Sequence, residues 1–388
     1  MSKTGALLKG NIRQYVMVIA LVVVIVMFQI FTGGVLLKPL NISNLISQNA
    51  YILILAIGML LCILTGGNVD LSVGSVAGFV GAISAIMMLK MNIPILPTIL
   101  VSLLLGLIIG CWQGFWIAYV GVPAFIATLA GMLVFRGLTL VVLHGTSLAP
   151  LPVGYTFLAS GFLPDFGKMG GLNILALLTG IVASVIYVVR ELNSRKNKRK
   201  YGFEVSSLTT FIPKIVGILL VLNAFTFSLA SYKGIPMVLV IVILLVLIYS
   251  FITMKTIPGR HIYAFGGNAK AAQLSGVNTK KVMFWVYANM GVLAALAGVI
   301  FTGRLNSATP KSGVNFELDA IAACFIGGAS TAGGVGTVVG AMVGGLLMGV
   351  LNNGMSIMGI SIDWQQAIKG FVLLGAVAFD VYSKSKSK

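Results

Sequence analysis

The chain carries 8 Asp and Glu against 26 Lys and Arg, so a carboxylate set in an apolar stretch is the first place to look for chemistry. Asp70 lies in TGGNVDLSVGS at 65–75, and Glu317 and Asp319 open an apolar run after GRLNSATPKSGVNFELDA. Arg136 interrupts PAFIATLAGMLVFRGL at 123–138. Charges at membrane depth are costly and mark substrate or ion pathways by default. Asn49, Asn68 and the pair Asn352–Asn353 stand at the ends of apolar runs. Amides and carboxylates together supply the donors and acceptors that a hydroxyl-rich solute such as a sugar requires. Each of these residues also has a structural use. Asp70 can cap the helix that follows it. Arg136 stands about 10 Å from the outer end of its run and can snorkel to the interface; pairing with Asp70 or Glu317 is the alternative. Enzyme chemistry finds little support. The two histidines, His144 and His261, fall on opposite sides of the expected topology, with no HExxH or DxxxD grouping. Cys62, Cys111 and Cys324 lie in apolar runs without metal-ligand spacing or a disulfide framework.

The elements that position these residues follow from composition. Of 388 residues, 58% are hydrophobic and 9% charged. A membrane span takes about 20 apolar residues, which allows roughly ten to twelve spans and excludes an ordinary soluble enzyme, whose charge content is about 25%. A disordered chain and an alternating transmembrane barrel are excluded by the same continuous apolar runs. Runs at about 15–33, 50–65, 71–89, 96–117, 122–143, 172–189, 213–231, 235–253, 282–303, 318–330, 333–351 and 364–381 predict an all-α polytopic membrane protein of about twelve elements, some short or re-entrant. The first run, behind Lys3, Lys9 and Arg13, reads as a retained span rather than a cleaved signal. With both termini inside, 18 Lys and Arg fall inside and seven outside, Lys369 being counted outside. That bias supports the orientation and accounts for the +18 net charge without nucleic acid. The whole chain, 1–388, reads as one transmembrane domain with inside loops at about 190–212 and 254–281. The RKNKRK run at 195–200 reads as a solvated, topology-fixing loop, with anionic lipid as the alternative.

Glycine spacing adds packing. Gly106, Gly110 and Gly114 form one row, Gly336, Gly340 and Gly344 another, and Gly74, Gly78 and Ala82 a third. Small residues at this spacing let helices approach closely in lipid. The second run, Ala50 to Thr65, would be about 24 Å long, short of the ~30 Å hydrocarbon core. Gly66, Gly67, Asn68 and Asp70 are therefore expected near membrane depth, where irregular backbone must be buried or line a cavity.

The inside segment 254–281 reads MKTIPGRHIYAFGGNAKAAQLSGVNTKK. Pro258 and Gly259 break the preceding span, and Gly266 and Gly267 predict a flexible turn. Asn268 caps a short helix, Ala269 to Ser275, that Gly276 ends. A small helix between glycine hinges suits a membrane subunit that receives force from a soluble motor; an ordinary surface turn is the alternative. No GxxxxGK[ST] phosphate loop occurs in the chain, so any ATP hydrolysis belongs to another subunit.

AFGGNAKAAQLSGVNTKK resembles the coupling segment of permease subunits from bacterial ABC importers for monosaccharides of the ribose, xylose, galactose and arabinose type. TGGNVDLSVGSVAG, PAFIATLAGMLVFRGL, LDAIAACFIGGASTAGGVGTVVGAMVGGLLMGVLNNG and WQQAIKGFVLL are similar to that family's other segments, in family order. The longer xylose-like or multiple-monosaccharide permeases resemble it most, and about 172–232 is an extra span pair relative to shorter relatives. The resemblance implies a multi-pass permease of the bacterial cytoplasmic membrane, surrounded by lipid, and a second permease copy. It also implies a cytoplasmic ATPase holding ATP and Mg, an extracytoplasmic sugar-binding protein, and no cofactor on this chain. Coupling would fall to Gly266, Gly267, Asn268, Ala269, Ala271, Ala272, Leu274, Ser275 and Gly276. The pathway residues are read from residue chemistry instead: Asn49, Asn68, Asp70, Phe125, Arg136, Glu317, Asp319, Asn352 and Asn353. An ion-coupled secondary transporter using Asp70 and Glu317, and a permease for branched-chain amino acids, are the rival readings.

Overall fold

The computed structural model describes residues 3–203, 205 and 207–385. The tail charges Lys3, Lys9, Arg13, Lys384, Lys386 and Lys388 lie outside the described side chains. Helices α1 (Lys3–Phe31), α2 (Pro39–Leu64) and α3 (Val73–Leu89) come first. Then α4 (Ile95–Phe115) continues through one π-helical turn at Trp116–Val120, followed by α5 (Ala124–Leu143) and the short α6 (Val153–Ser160). A two-residue hairpin, β1 (Lys168–Met169) with β2 (Leu172–Asn173), precedes α7 (Ile174–Lys200), α8 (Leu208–Ala230) and α9 (Met237–Lys255). The chain closes with α10 (Ile257–Gly267), α11 (Ala269–Leu274), α12 (Thr279–Leu305), α13 (Phe316–Ile326), α14 (Val338–Ile357) and α15 (Ile362–Ser385).

Local chemistry sets many of these ends. Pro94, Pro123 and Pro152 stand just before α4, α5 and α6, where a missing N–H costs nothing. Asn173, Asn268, Asn278 and Thr337 accept from first-turn N–H groups of α7, α11, α12 and α14, satisfying donors that the helix leaves open. Each of the twelve expected runs falls on a helix. Among the described residues, eight helices are long and apolar enough to cross a membrane, and Met17–Phe31 and Val73–Leu89 are shorter apolar helices.

The chain divides into two compact units. The larger comprises residues 1–36, 45–161 and 238–388. In it α12 is the central helix, packed chiefly on α4 and α3, while α13 packs on α14 and α15, and α14 on α1. The α4–α12 contact is a glycine seam. A Cβ on Gly110 would meet the carbonyls of Tyr287 at 2.5 Å and Ala288 at 2.8 Å, and Gly106 and Gly291 lie against each other's backbone. The smaller unit, residues 37–44 and 162–237, holds the β1–β2 hairpin and the α7–α8 helix pair. Much of α7 and α8 is apolar yet exposed: 11% and 6% of their span windows are buried. In water such faces would be unstable, and lipid is the solvent that suits them.

Two expectations change. The second element is not short. It begins at Pro39 and runs 26 residues, because Asn41, Ser43, Ser47 and Asn49 dilute its hydropathy while lying buried in its first turns. The RKNKRK run is not a loop but the last turns of α7. Helix α6 carries Tyr155, which is fully buried and hydrogen-bonds Ser84 at 2.8 Å. The tenth element remains short: α13 has 11 residues, about 16 Å, half the hydrocarbon thickness.

Candidate permeation site and coupling knob

The break between α2 and α3 delivers Asp70. Gly66 and Gly67 adopt φ of +99° and +78°, a region open to glycine without steric cost. Asn68 Nδ2 donates to the Thr65 carbonyl at 2.7 Å, closing the turn. Asp70 is 2% exposed. Its Oδ1 accepts from the Ser72 N–H at 2.8 Å and the Ser72 hydroxyl at 2.6 Å. Gln113 Nε2 of α4 donates to that hydroxyl at 2.6 Å. Gly131 of α5 leaves the room: a Cβ there would stand 2.6 Å from Gln113 Nε2. Asp70 therefore does not cap α3 as a capping residue would. Ser72 holds the N-cap position with no side-chain cap bond, and Asp70 orients Ser72.

The short α13 presents its two carboxylates to opposite sides, since residues two apart differ by about 200° around a helix. Glu317 turns toward α3 and α5. Its Oε1 lies 3.8 Å from Arg136 Nη2, with the Arg136 side chain 36% exposed and that of Glu317 6%. Its Oε2 rests against Gly74, where a Cβ would collide with it, and has no hydrogen-bond partner. Asp319 turns toward α2 and α15. It forms an ion pair with Lys369 Nζ at 3.0 Å and accepts from the Tyr51 hydroxyl at 3.0 Å. The Tyr51 ring stacks on Phe316 at 3.9 Å and meets Phe301 edge-on. Asp70, Arg136 and Asp319 all lie within electrostatic reach of Glu317. Buried charges persist when paired or hydrogen-bonded: Glu317 and Asp319 of α13 pair with Arg136 of α5 and Lys369 of α15, and Asp70 is held by Ser72.

Other expected pathway residues stand elsewhere. Asn49 and Asn352–Asn353 are not at span ends but inside α2 and α14. Asn49 donates to the Leu45 carbonyl at 2.8 Å and lies against Gly349. Asn353 is buried, and the shielded Asn352 Oδ1 has no hydrogen-bond partner. Phe125 is 56% exposed on the first turn of α5. Lys369, counted outside, sits within α15 and binds Asp319. Sequence reading missed Tyr51, Ser72, Gln113 and Lys369 as members of the set. The signal existed for Gln113 and Lys369, single polar residues inside the apolar runs CWQGFW and AIKGFVLL. Among the described residues no three His, Cys, Asp or Glu side chains group to hold a metal.

A knob is built at the α2–α3 end. Gly266 and Gly267 are not a loose turn: they form the last turn of α10. A Cβ on Gly266 would collide with the Leu64 carbonyl and stand 2.5 Å from Gly334 N. Gly334 N–H itself donates to Leu64 O at 3.0 Å. Tyr263 donates to the Gly336 carbonyl at 2.7 Å, and burial raises its phenol above the usual tyrosine range. Beyond this anchor, Asn268 caps α11, accepting from Ala271 N at 3.0 Å. Helix α11 ends at Leu274, one residue earlier than expected, and Gly276 follows at φ +88°. Ala272 and Val277 are buried and hold the knob, while Leu274 is 87% exposed.

Apolar helices around a paired charge set, with an anchored knob at one end, define a multi-pass membrane permease. The chain belongs to the family described as branched-chain amino acid transport system / permease component, which matches residues 41–377. It is 40% identical over 376 residues to the xylose transport system permease protein of Haemophilus influenzae, covering 97% of this chain and 98% of that protein. It is 37% identical to the xylose transport system permease protein of Escherichia coli K12, covering 97% and 94%. It is also 37% identical to the ribose import permease protein of Bacillus subtilis 168, covering 89% and 85%. No solved structure matches the chain.

Proposed function

We propose that this chain is the membrane subunit of an ATP-driven importer that carries a monosaccharide inward by alternating access. The observation that carries the reading is the 40% identity, over nearly the full length of both chains, to a permease named for xylose. In this reading the chain crosses the bacterial inner membrane with both termini and α11 on the cytoplasmic side, an orientation supported by the excess of Lys and Arg in the segments read as inside. Two copies form the pathway. A cytoplasmic ATPase with its ATP and Mg engages α11, where exposed Leu274 offers an apolar contact, and an extracytoplasmic binding protein delivers the sugar. Asp70, Arg136, Glu317 and Asp319 lie along or beside the route and orient its polar surface. The chain itself binds no cofactor and does no chemistry on the sugar.

The test is reconstitution in proteoliposomes with the ATPase and binding protein of the same transport system. Xylose or ribose uptake that requires ATP and all three components is expected. Uptake by the chain alone under a proton or sodium gradient would overturn the reading. ATP-dependent uptake of leucine in place of a sugar would move the substrate class to that of the family description.

A further inference from the structure

The α7–α8 pair carries charge that the transport reading does not use. Between Arg190 and Lys200 stand six cations, Arg190, Arg195, Lys196, Lys198, Arg199 and Lys200, and one acid, Glu191. Glu191 is already paired with Lys214 of α8 at 2.6 Å, so it neutralises none of the six. All of them lie on one continuous helix, Ile174–Lys200.

The depth of these charges follows from helix geometry. Ile174 to Val189 is an unbroken run without charge. At 1.5 Å per residue, and with Ile174 at one boundary of a ~30 Å hydrocarbon core, Arg190 reaches about 24 Å, Arg195 about 31 Å and Lys200 about 39 Å. The headgroup layer on each side is roughly 5–8 Å thick. The 195–200 run is therefore centred on the phosphate level and ends at its outer edge.

Angular placement separates a lipid partner from a protein one. At about 100° per residue, the six cations fall in every quadrant of the helix. A protein surface would contact one side of such a collar, whereas a headgroup layer surrounds the helix. Arg195 adds a more specific feature. Its guanidinium lies over the Phe211 ring of α8 at 4.4 Å, and its shielded Nη1 has no hydrogen-bond partner. The ring covers that nitrogen and holds the guanidinium flat, so a phosphate oxygen would be met by the donors of its other edge.

We infer that the basic end of α7 is a binding site for anionic phospholipid headgroups, seated between Arg195 and the cation collar. This site fixes the α7–α8 pair at a defined depth. The test uses the full chain in nanodiscs of phosphatidylcholine with and without one quarter phosphatidylglycerol, comparing the parent with Arg195→Gln/Lys196→Gln/Lys198→Gln/Arg199→Gln. Lipid that co-purifies after detergent exchange is counted by native mass spectrometry. Phosphatidylglycerol is expected to make up about three quarters of the lipid that the parent retains, threefold its share of the nanodisc, with the excess falling at high salt. The variant is expected to lose most of that enrichment, while Lys270→Gln/Lys280→Gln/Lys281→Gln on the knob side keeps it. Equal enrichment in parent and quadruple variant would overturn the assignment. So would unchanged lipid retention together with lost binding of the ATPase, which would make the collar a protein contact. Should the quadruple variant fail to fold, salt-insensitive retention by the parent would by itself refute the site.

Discussion

The Asp319 ion pair offers the sharpest test of how the short α13 is held. In Asp319→Leu, Lys369 keeps its charge and Tyr51 its hydroxyl, but neither has its acceptor. Breaking a buried pair by removing one partner costs about 3–5 kcal/mol. Lys369 remains 23% exposed by side chain and Asp319 4%, so the lower end applies, about 3 kcal/mol, with about 1 kcal/mol more for the lost Tyr51 hydrogen bond. A change of 3–4 kcal/mol lowers the folded-to-unfolded ratio by at least roughly 100-fold. Asp319→Leu/Lys369→Met removes both charges and is expected within about 1 kcal/mol of the parent, because an apolar pair of similar volume often replaces a buried ion pair without loss. The double-mutant cycle isolates the coupling, expected at 2 kcal/mol or more. The assay is equilibrium unfolding in mixed micelles by denaturing detergent titration, read by far-ultraviolet circular dichroism. Asp319→Leu within 1 kcal/mol of the parent would refute the reasoning. A double variant no more stable than the single one would refute it equally.

Further expectations concern the knob and the second ion pair. Gly266→Val drives a branched side chain into Leu64 O and Gly334 N; overpacking of about 1–3 kcal/mol should pry α10 from α2 and abolish ATP-coupled uptake in protein that still inserts, and normal uptake would count against the anchor. Gly276→Val forces a β-branched residue to φ +88°, a strain of about 1–3 kcal/mol, and should lower sugar-stimulated ATP hydrolysis by the assembled transporter; an unchanged rate argues against force transfer through α11. Asn268→Ala removes the α11 cap at a cost of about 1 kcal/mol, which amide hydrogen exchange should register as faster opening of residues 269–274 alone. Glu317→Gln unpairs Arg136 and should reduce uptake more than it reduces thermal stability, because Arg136 is already one-third exposed; the opposite ranking would make the pair structural.

What the sequence disclosed divides along physical lines. Apolar runs, prolines and capping asparagines are local signals, and they located α3, α4, α5 and α11 to within a few residues. The start of α2 was hidden because its polar first turns are buried, Asn49 against Gly349 of α14, which hydropathy cannot register. The α7 extension was hidden because RKNKRK has acceptable helix propensity but looks like a loop by charge. The pairing of Arg136 with Glu317 was legible only as an option. Choosing it over Asp70 required knowing that α13 begins at the depth of Gly74. Tyr51 could not be singled out at all, since one tyrosine in an apolar helix gives no sign of the aspartate 268 residues away that it will bind.

The glycine seam between α4 and α12 has a mechanical meaning. Gly106, Gly110 and Gly291 bring the two backbones into contact, with no flexible side chains between them to absorb a displacement. Sliding one helix along the other would drive carbonyls into Cα atoms, so the pair moves as a single rod. Helix α12 starts at Thr279, four residues after Ser275 caps the end of α11, behind the Asn278 cap. A push on α11 therefore has a short path into that rod and no soft joint within it. The give in the bundle has to lie elsewhere, at the half-length α13 and the glycine turns on either side of it, where a small rotation would carry Glu317 and Asp319 past their partners.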